Sequence, residues 1–130
     1  MNNGRNKSAM FSLHYYRLKE GVSRQSLAAA FAQAKEEGLF ELPGLQEAYL
    51  LWGRKGREAD QPAALWVYES YGAWEALWGP PEDPIGQDEY PSRWVRWERE
   101  LLEPLLVGDP DKVPLTSFVV MDAMTHTGGT

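Results

Sequence analysis

Few residues in this chain could do chemistry, and two of them, His14 and Tyr16, stand close together. Both fall in the aromatic and apolar segment Met10 to Leu18, which reads as a β-strand. Residues two apart on a strand point to the same face, so imidazole and phenol would share one side of a sheet. An imidazole in its ordinary state titrates near neutrality and suits proton abstraction from a phenol. Tyr16 would hydrogen-bond the same ligand atom. Plainer roles are open to both: a strand histidine hydrogen-bonded in the core or at a subunit contact, and a half-buried tyrosine whose hydroxyl reaches water. Trp74, Trp78, Trp94 and Trp97 sit at helical spacing on two segments. They could wall a flat aromatic ligand, or form the apolar stripes that bury a helix. Glu69 and Asp122 lie at or near strand ends and would become acids or bases if burial raised them; otherwise they are solvated termini. Arg17 matches a ligand carboxylate or a surface ion pair.

Much other chemistry is excluded. The chain has no cysteine, which removes disulfides, thiolate nucleophiles, cysteine-ligated zinc and iron–sulfur clusters. Its two histidines, His14 and His126, give no metal-ligand spacing, so neither a metal nor an organic cofactor is expected. There is no Ser/His/Asp order, glycine-rich phosphate loop or nucleotide fingerprint. A formal net charge of −6 with no run of Lys or Arg argues against nucleic acid and anionic membranes as partners. No apolar stretch approaches the roughly 18 residues of a membrane span, and the polar start has no signal-peptide core. A cytoplasmic location is the expectation.

These residues must be positioned by a single domain, which suits 130 residues. We expect residues 1–9 to be a flexible leader, 10–124 the domain, and 125–130 a flexible tail. Ser23 caps a helix bearing Leu27, Phe31 and Ala34, and Gly38 ends it. Pro43-Gly44 turns into a second strand, Leu45 to Gly53. Charged residues 54–60 connect it to a third, Ala63 to Glu69. Ser70 caps a short helix carrying Tyr71, Trp74, Leu77 and Trp78, which Gly79-Pro80-Pro81 stops. A Pro-, Gly- and acid-rich loop, 79–90, precedes another helix with Trp94, Trp97, Leu101 and Leu105 as its stripe and Pro104 bending or ending it. Ser117 to Met124 is the last strand. Treating the two helices as one broken crossover gives the ferredoxin-like β-α-β-β-α-β order, an α+β fold with an antiparallel sheet.

Both faces of every predicted strand are apolar. Phe11, Leu13 and Tyr15 oppose Met10, His14, Tyr16 and Leu18; Tyr49 and Leu51 oppose Leu50 and Trp52; Leu65 and Val67 oppose Trp66 and Tyr68; Phe118 and Val120 oppose Val119 and Met121. Helices in this topology cover one face. The other face exceeds what a monomer leaves exposed, so a homodimer packed sheet against sheet is expected.

The chain resembles the dimeric α+β barrel superfamily, in particular its antibiotic-biosynthesis monooxygenase-like family. Three features carry the resemblance: the opening strand Phe11 to Leu18, the turn Leu42-Pro43-Gly44-Leu45, and Trp66 to Trp74, where a strand passes straight into an aromatic-anchored helix. Together the matched elements span residues 10–124. The resemblance implies a pocket between sheet and helices; known activities include cofactor-independent oxygenases acting on phenols and quinols, haem-degrading enzymes, lyases and isomerases. The haem-degrading branch implies an Asn on the first strand, a Trp in the helix after the third, and an iron-ligating His further on. Tyr16 occupies the Asn position, Trp74 and Trp78 are available, and no His lies between His14 and His126. The axial ligand is therefore missing.

The resulting expectation is a small-molecule enzyme, monooxygenase-like and cofactor-independent, acting on an aromatic or flat apolar substrate. His14 and Tyr16 would be catalytic, with Trp74, Trp78 and Trp94 binding the substrate. The alternative is a non-catalytic ligand-binding or dimeric interaction protein of the same fold. A cavity filled by its own Trp side chains would favour an interaction module; an open one with convergent polar groups would favour catalysis or binding.

Overall fold

The computed structural model describes residues 8–108 and 117–125. The expected leader and tail fall mostly outside the described residues. Strand β1 (Met10–Tyr15) leads to helix α1 (Arg24–Glu36), then β2 (Leu45–Trp52), β3 (Pro62–Tyr68) and helix α2 (Tyr71–Trp78). A short 3₁₀ turn (Gln87–Glu89) precedes helix α3 (Ser92–Val95). This runs without a break into a π-helical stretch (Arg96–Leu102) and a 3₁₀ turn (Glu103–Leu105). Strand β4 (Ser117–Asp122) completes a four-stranded antiparallel sheet in the order β2-β3-β1-β4.

The helix boundaries follow from local chemistry. Ser23 and Ser70 have extended backbones, and their hydroxyls accept from the N–H groups of Ser26 and Ala73, both at 3.1 Å. Each satisfies an N–H that a helix start leaves without a partner. At the far ends, Gly38 and Gly79 take φ of +75° and +84°, which L side chains avoid.

The first strand is shorter than its apolar run. After Tyr15 the chain leaves the sheet: Lys19 donates to the carbonyl of Leu105, Val107 donates to that of Arg17, and Leu18 bridges Leu106. Tyr16 still donates its N–H to the Pro62 carbonyl of β3 at 3.1 Å, and residues 17–19 then pair with 105–107 at the end of the third helical segment, a long-range partner. The stripe in that segment also shifts. Trp94, Trp97 and Leu102 are buried, whereas Leu101 and Leu105 are only partly so. A π-helix bonds i to i+5, so Trp97 and Leu102 share a face that α-helical spacing would assign to Leu101.

One face of the sheet carries the core. Met10, Ala64, Trp66 and Tyr68 meet Leu27, Ala34, Trp94, Trp97 and Leu102 from the helices. Trp66 lies at its centre, with ring centroids 4.9 Å from Trp94 and 5.1 Å from Phe40. The opposite face holds cross-strand rows. Tyr49, Leu65, Leu13 and Val119 form the middle one; Glu47, Val67, Phe11 and Met121 form its neighbour. No element among the described residues covers them.

Two of the motifs singled out in the sequence meet in space. The Pro43-Gly44 turn lies against the start of α2, where the N–H of Glu69 donates to the Gly44 carbonyl at 2.8 Å. A Cβ on Gly44 would come within 2.5 Å of the Ala73 Cβ, and Gly44 has a φ of +81°. Gly44→Ala therefore combines backbone strain with a clash. It is expected to lower unfolding free energy by about 1–3 kcal/mol in urea titration. A change within a few tenths of a kcal/mol would show that the turn yields freely.

Candidate functional site

The sheet's covered face and the helices do not close on each other completely. Between them lies a cavity of about 700 Å³. Met10, Ser12 and His14 of β1, Tyr68 of β3, and Phe118, Val120 and Asp122 of β4 form its floor. Tyr71, Trp74 and Trp78 of α2 make one wall. Trp94, Val95, Glu98 and Arg99, with Glu103, make another. The loop after α2 supplies Pro81, Pro84, Ile85, Gln87 and Tyr90. It folds back on the helix it follows: the Ile85 N–H donates to the Trp78 carbonyl at 3.0 Å, and Tyr90 meets Trp78 edge to face at 5.4 Å. A loop whose length alone left its role open is a wall of the cavity.

His14, Trp74, Trp78 and Trp94 all line this one space. Tyr16 does not. It is fully buried on the same side of the sheet, past the end of β1, and its hydroxyl has no hydrogen-bond partner among the described residues. Burial, then the nearby Glu98 carboxylate, push its phenol well above the usual range. Alternation along a strand correctly gives the face, but it does not say which part of that face the helices seal. Trp97 is likewise fully buried and outside the lining. Arg17 forms a surface pair with Glu58 at 2.8 Å, and Glu69 is exposed.

The electrostatics reassign the chemistry. The His14 imidazole packs among Phe118, Trp66 and Trp94, with centroids 5.5, 6.0 and 6.1 Å away, and its Nε2 lies 3.0 Å from Ser12 Oγ. Burial lowers its pKa to about 4. It is neutral at physiological pH and a weaker base than a free imidazole. Glu98 is the opposite case. Burial, then the Glu103 carboxylate, raise its pKa to about 7, against the pull of Trp94 and Arg99. Glu103 is 6% exposed and raised by burial, with Arg99 Nε at 3.3 Å. Tyr68 accepts from the Trp78 indole N–H at 3.1 Å and is pushed up to about 12 by burial. The cavity group best matched to proton transfer near neutrality is therefore Glu98. Ordinary helical spacing already puts Glu98 on the face of Trp94, four residues before it; what the sequence does not show is that burial raises its carboxyl.

No protein-family model matches the chain, and no curated protein matches its sequence. Solved structures match its fold. A point mutant of SnoaB, a cofactor-independent oxygenase from Streptomyces nogalater, aligns at TM-score 0.55 and 12% identity, over 92% of this chain and 96% of that one. MhuD, a heme-degrader from Mycobacterium tuberculosis with two hemes bound in its active site, aligns at 0.57 and 15%, over 92% and 99%. A dimeric ferredoxin-like protein of unknown function from Jannaschia aligns at 0.54 and 17%, over 90% and 99%.

The chain has the ferredoxin-like fold. Its likeness to the antibiotic-biosynthesis monooxygenase-like proteins, first drawn from three short motifs, is a likeness of this ferredoxin-like architecture across more than nine-tenths of the chain. For haem, the cavity's donors do not fit what the resemblance implies. The one imidazole in the lining is on β1 and packed among aromatic rings, and the lining residues of the covering helices include no histidine. No helix among the described residues is long and apolar enough to cross a membrane.

Proposed function

We propose that this chain is a small-molecule enzyme of the cofactor-independent monooxygenase type, acting on an aromatic or flat apolar substrate held between sheet and helices. One observation carries the reading: an aromatic-walled cavity of about 700 Å³ contains a carboxyl group whose pKa lies near 7. The volume is within the range of drug-sized ligand pockets, and such pockets need only a few polar groups on apolar walls. Because the cavity is open, its Trp side chains do not fill it, which weighs against a pure interaction module. The match to a cofactor-independent oxygenase adds support at the level of fold.

In this reading Trp74, Trp78 and Trp94 hold the flat body of the substrate. His14, neutral and fixed by Ser12, donates or accepts one hydrogen bond to it. Glu98 takes a proton from the substrate's ionisable group and leaves an electron-rich ring system. Dioxygen then oxidises the phenolate ring to a quinone: a ring C–H becomes C=O, one oxygen atom enters the substrate, the other leaves as water, and the substrate supplies all four electrons. Tyr16, beyond the cavity, takes no part in this step.

The protein would work as a homodimer joined through the uncovered sheet face. Of the eight residues in its two mapped rows only Glu47 is charged, and fold neighbours are dimeric.

Oxygen uptake with a panel of polycyclic phenols and aryl amines tests the enzyme reading. Uptake that depends on protein and falls at least tenfold in Glu98→Gln is the expected result. Saturable binding with no uptake across the panel would instead establish the non-catalytic ligand-binding protein.

A further inference from the structure

The cavity is unbalanced in charge as well as lined with rings. Glu98, Glu103 and Asp122 all contribute to its surface, whereas its single basic side chain, Arg99, is committed to Glu103 at 3.3 Å. That leaves Asp122 without a cationic partner among the cavity residues, and Glu98 with only the pull of the same Arg99. The surrounding surface is the π-face and edge of Trp74, Trp78, Tyr90, Trp94, Tyr68 and Phe118. Aromatic faces carry negative quadrupoles and attract a cation placed over them, most strongly when it is desolvated. The same site is unfavourable for an anion, which would meet two carboxylates and have no free guanidinium or ammonium to bind.

From this geometry we infer that the cavity takes an organic cation: a flat apolar body bearing a basic nitrogen, its N–H⁺ directed at Glu98 and its rings stacked on the Trp walls. The inference rests on the small-molecule pocket proposed above and names the charge that its ligand carries. A protonated amine also resolves the position of Glu98. Without a cation the carboxylate is a charge beside Glu103 in a largely apolar cavity; with an ammonium at hydrogen-bond distance, its ionised form is neutralised where it stands. The walls fix the plane of the ligand, and the carboxylates fix which end points inward.

Three ligands of one shape and different charge test this: naphthylmethylamine, naphthylmethanol and naphthoate, titrated calorimetrically into the purified full-length protein at pH 7.5. The amine is expected to bind at least tenfold more tightly than the alcohol, with naphthoate weakest. In Glu98→Gln, whose fold is checked by near-ultraviolet circular dichroism, the amine should fall to within about threefold of the alcohol while the alcohol is unchanged. Alcohol or naphthoate binding as tightly as the amine overturns the charge inference and leaves the apolar pocket standing. Absence of binding by all three at millimolar concentration overturns both.

Discussion

Leu65→Asp is expected to turn a dimer into a monomer. Leu65 sits in the middle row of the uncovered sheet face, paired with Leu13 on one side and Tyr49 on the other, and Val119 continues the row at the far edge. In a two-fold packing of this face against itself, both copies of the new carboxylate enter an apolar contact with no cation opposite. Each unpaired buried charge costs about 3–5 kcal/mol, and symmetry makes there be two. That is enough to shift a dissociation constant by several powers of ten. In the separated subunit the same position is partly exposed, so the fold should survive, with circular dichroism unchanged. Sedimentation velocity on wild type and variant decides the matter. A wild-type monomer, or a variant dimer as tight as the wild type, would remove sheet-to-sheet assembly.

The second large effect concerns pH. His14 falls from 6.5 in the unfolded chain to about 4 in the fold. Above pH 6.5 both states are neutral there and its contribution is fully present. As pH falls from 6.5 toward 4 the unfolded chain takes up a proton that the fold refuses, and stability is lost. Glu98 rises from 4.5 to about 7. Its contribution is fully present below pH 4.5 and is lost as pH rises toward 7, because the unfolded chain ionises first. Between about pH 4.5 and 6.5 the two groups therefore oppose each other and largely cancel. Removing one should unmask the other. In Glu98→Gln, stability should fall more steeply on acidification than in wild type, by up to about 1.4 kcal/mol per pH unit from His14. In His14→Gln it should fall less steeply. Urea titrations at pH 4.5, 5.5, 6.5 and 7.5 give the slopes. Parallel profiles in all three proteins would mean that neither group is shifted as the fold implies.

The fold was readable because its signals are local. Ser23 and Ser70 announce helix starts, Gly38 and Gly79 announce ends, and apolar residues on both sides of each strand mark a sheet with more apolar surface than its own helices cover. The parts that were hidden depend on distant partners. Nothing near Tyr16 reveals that residues 17–19 pair with 105–107, which ends β1 early and leaves Tyr16 buried outside the cavity lining. Trp74, Trp78 and Trp94 were identifiable as wall residues because large aromatics on covering helices must face the sheet. Glu98 shares a face with Trp94 by ordinary spacing, but the burial that raises its carboxyl is not written locally, and neither is the burial among three rings that lowers His14.

The winding of residues 96–102 makes backbone length part of how the cavity wall is built. A π-helical turn holds about one residue more than an α-helical one, so the stretch behaves as a single-residue insertion retained within a helix. Deleting one residue there would let the segment relax to α-helix while the residues on either side keep their orientation, with Trp94 still on the wall. Only the side chains inside the stretch would be re-aimed, and Glu98 and Arg99 both line the cavity from it. A codon lost here would change the charge facing the aromatic walls with no substitution in the walls themselves.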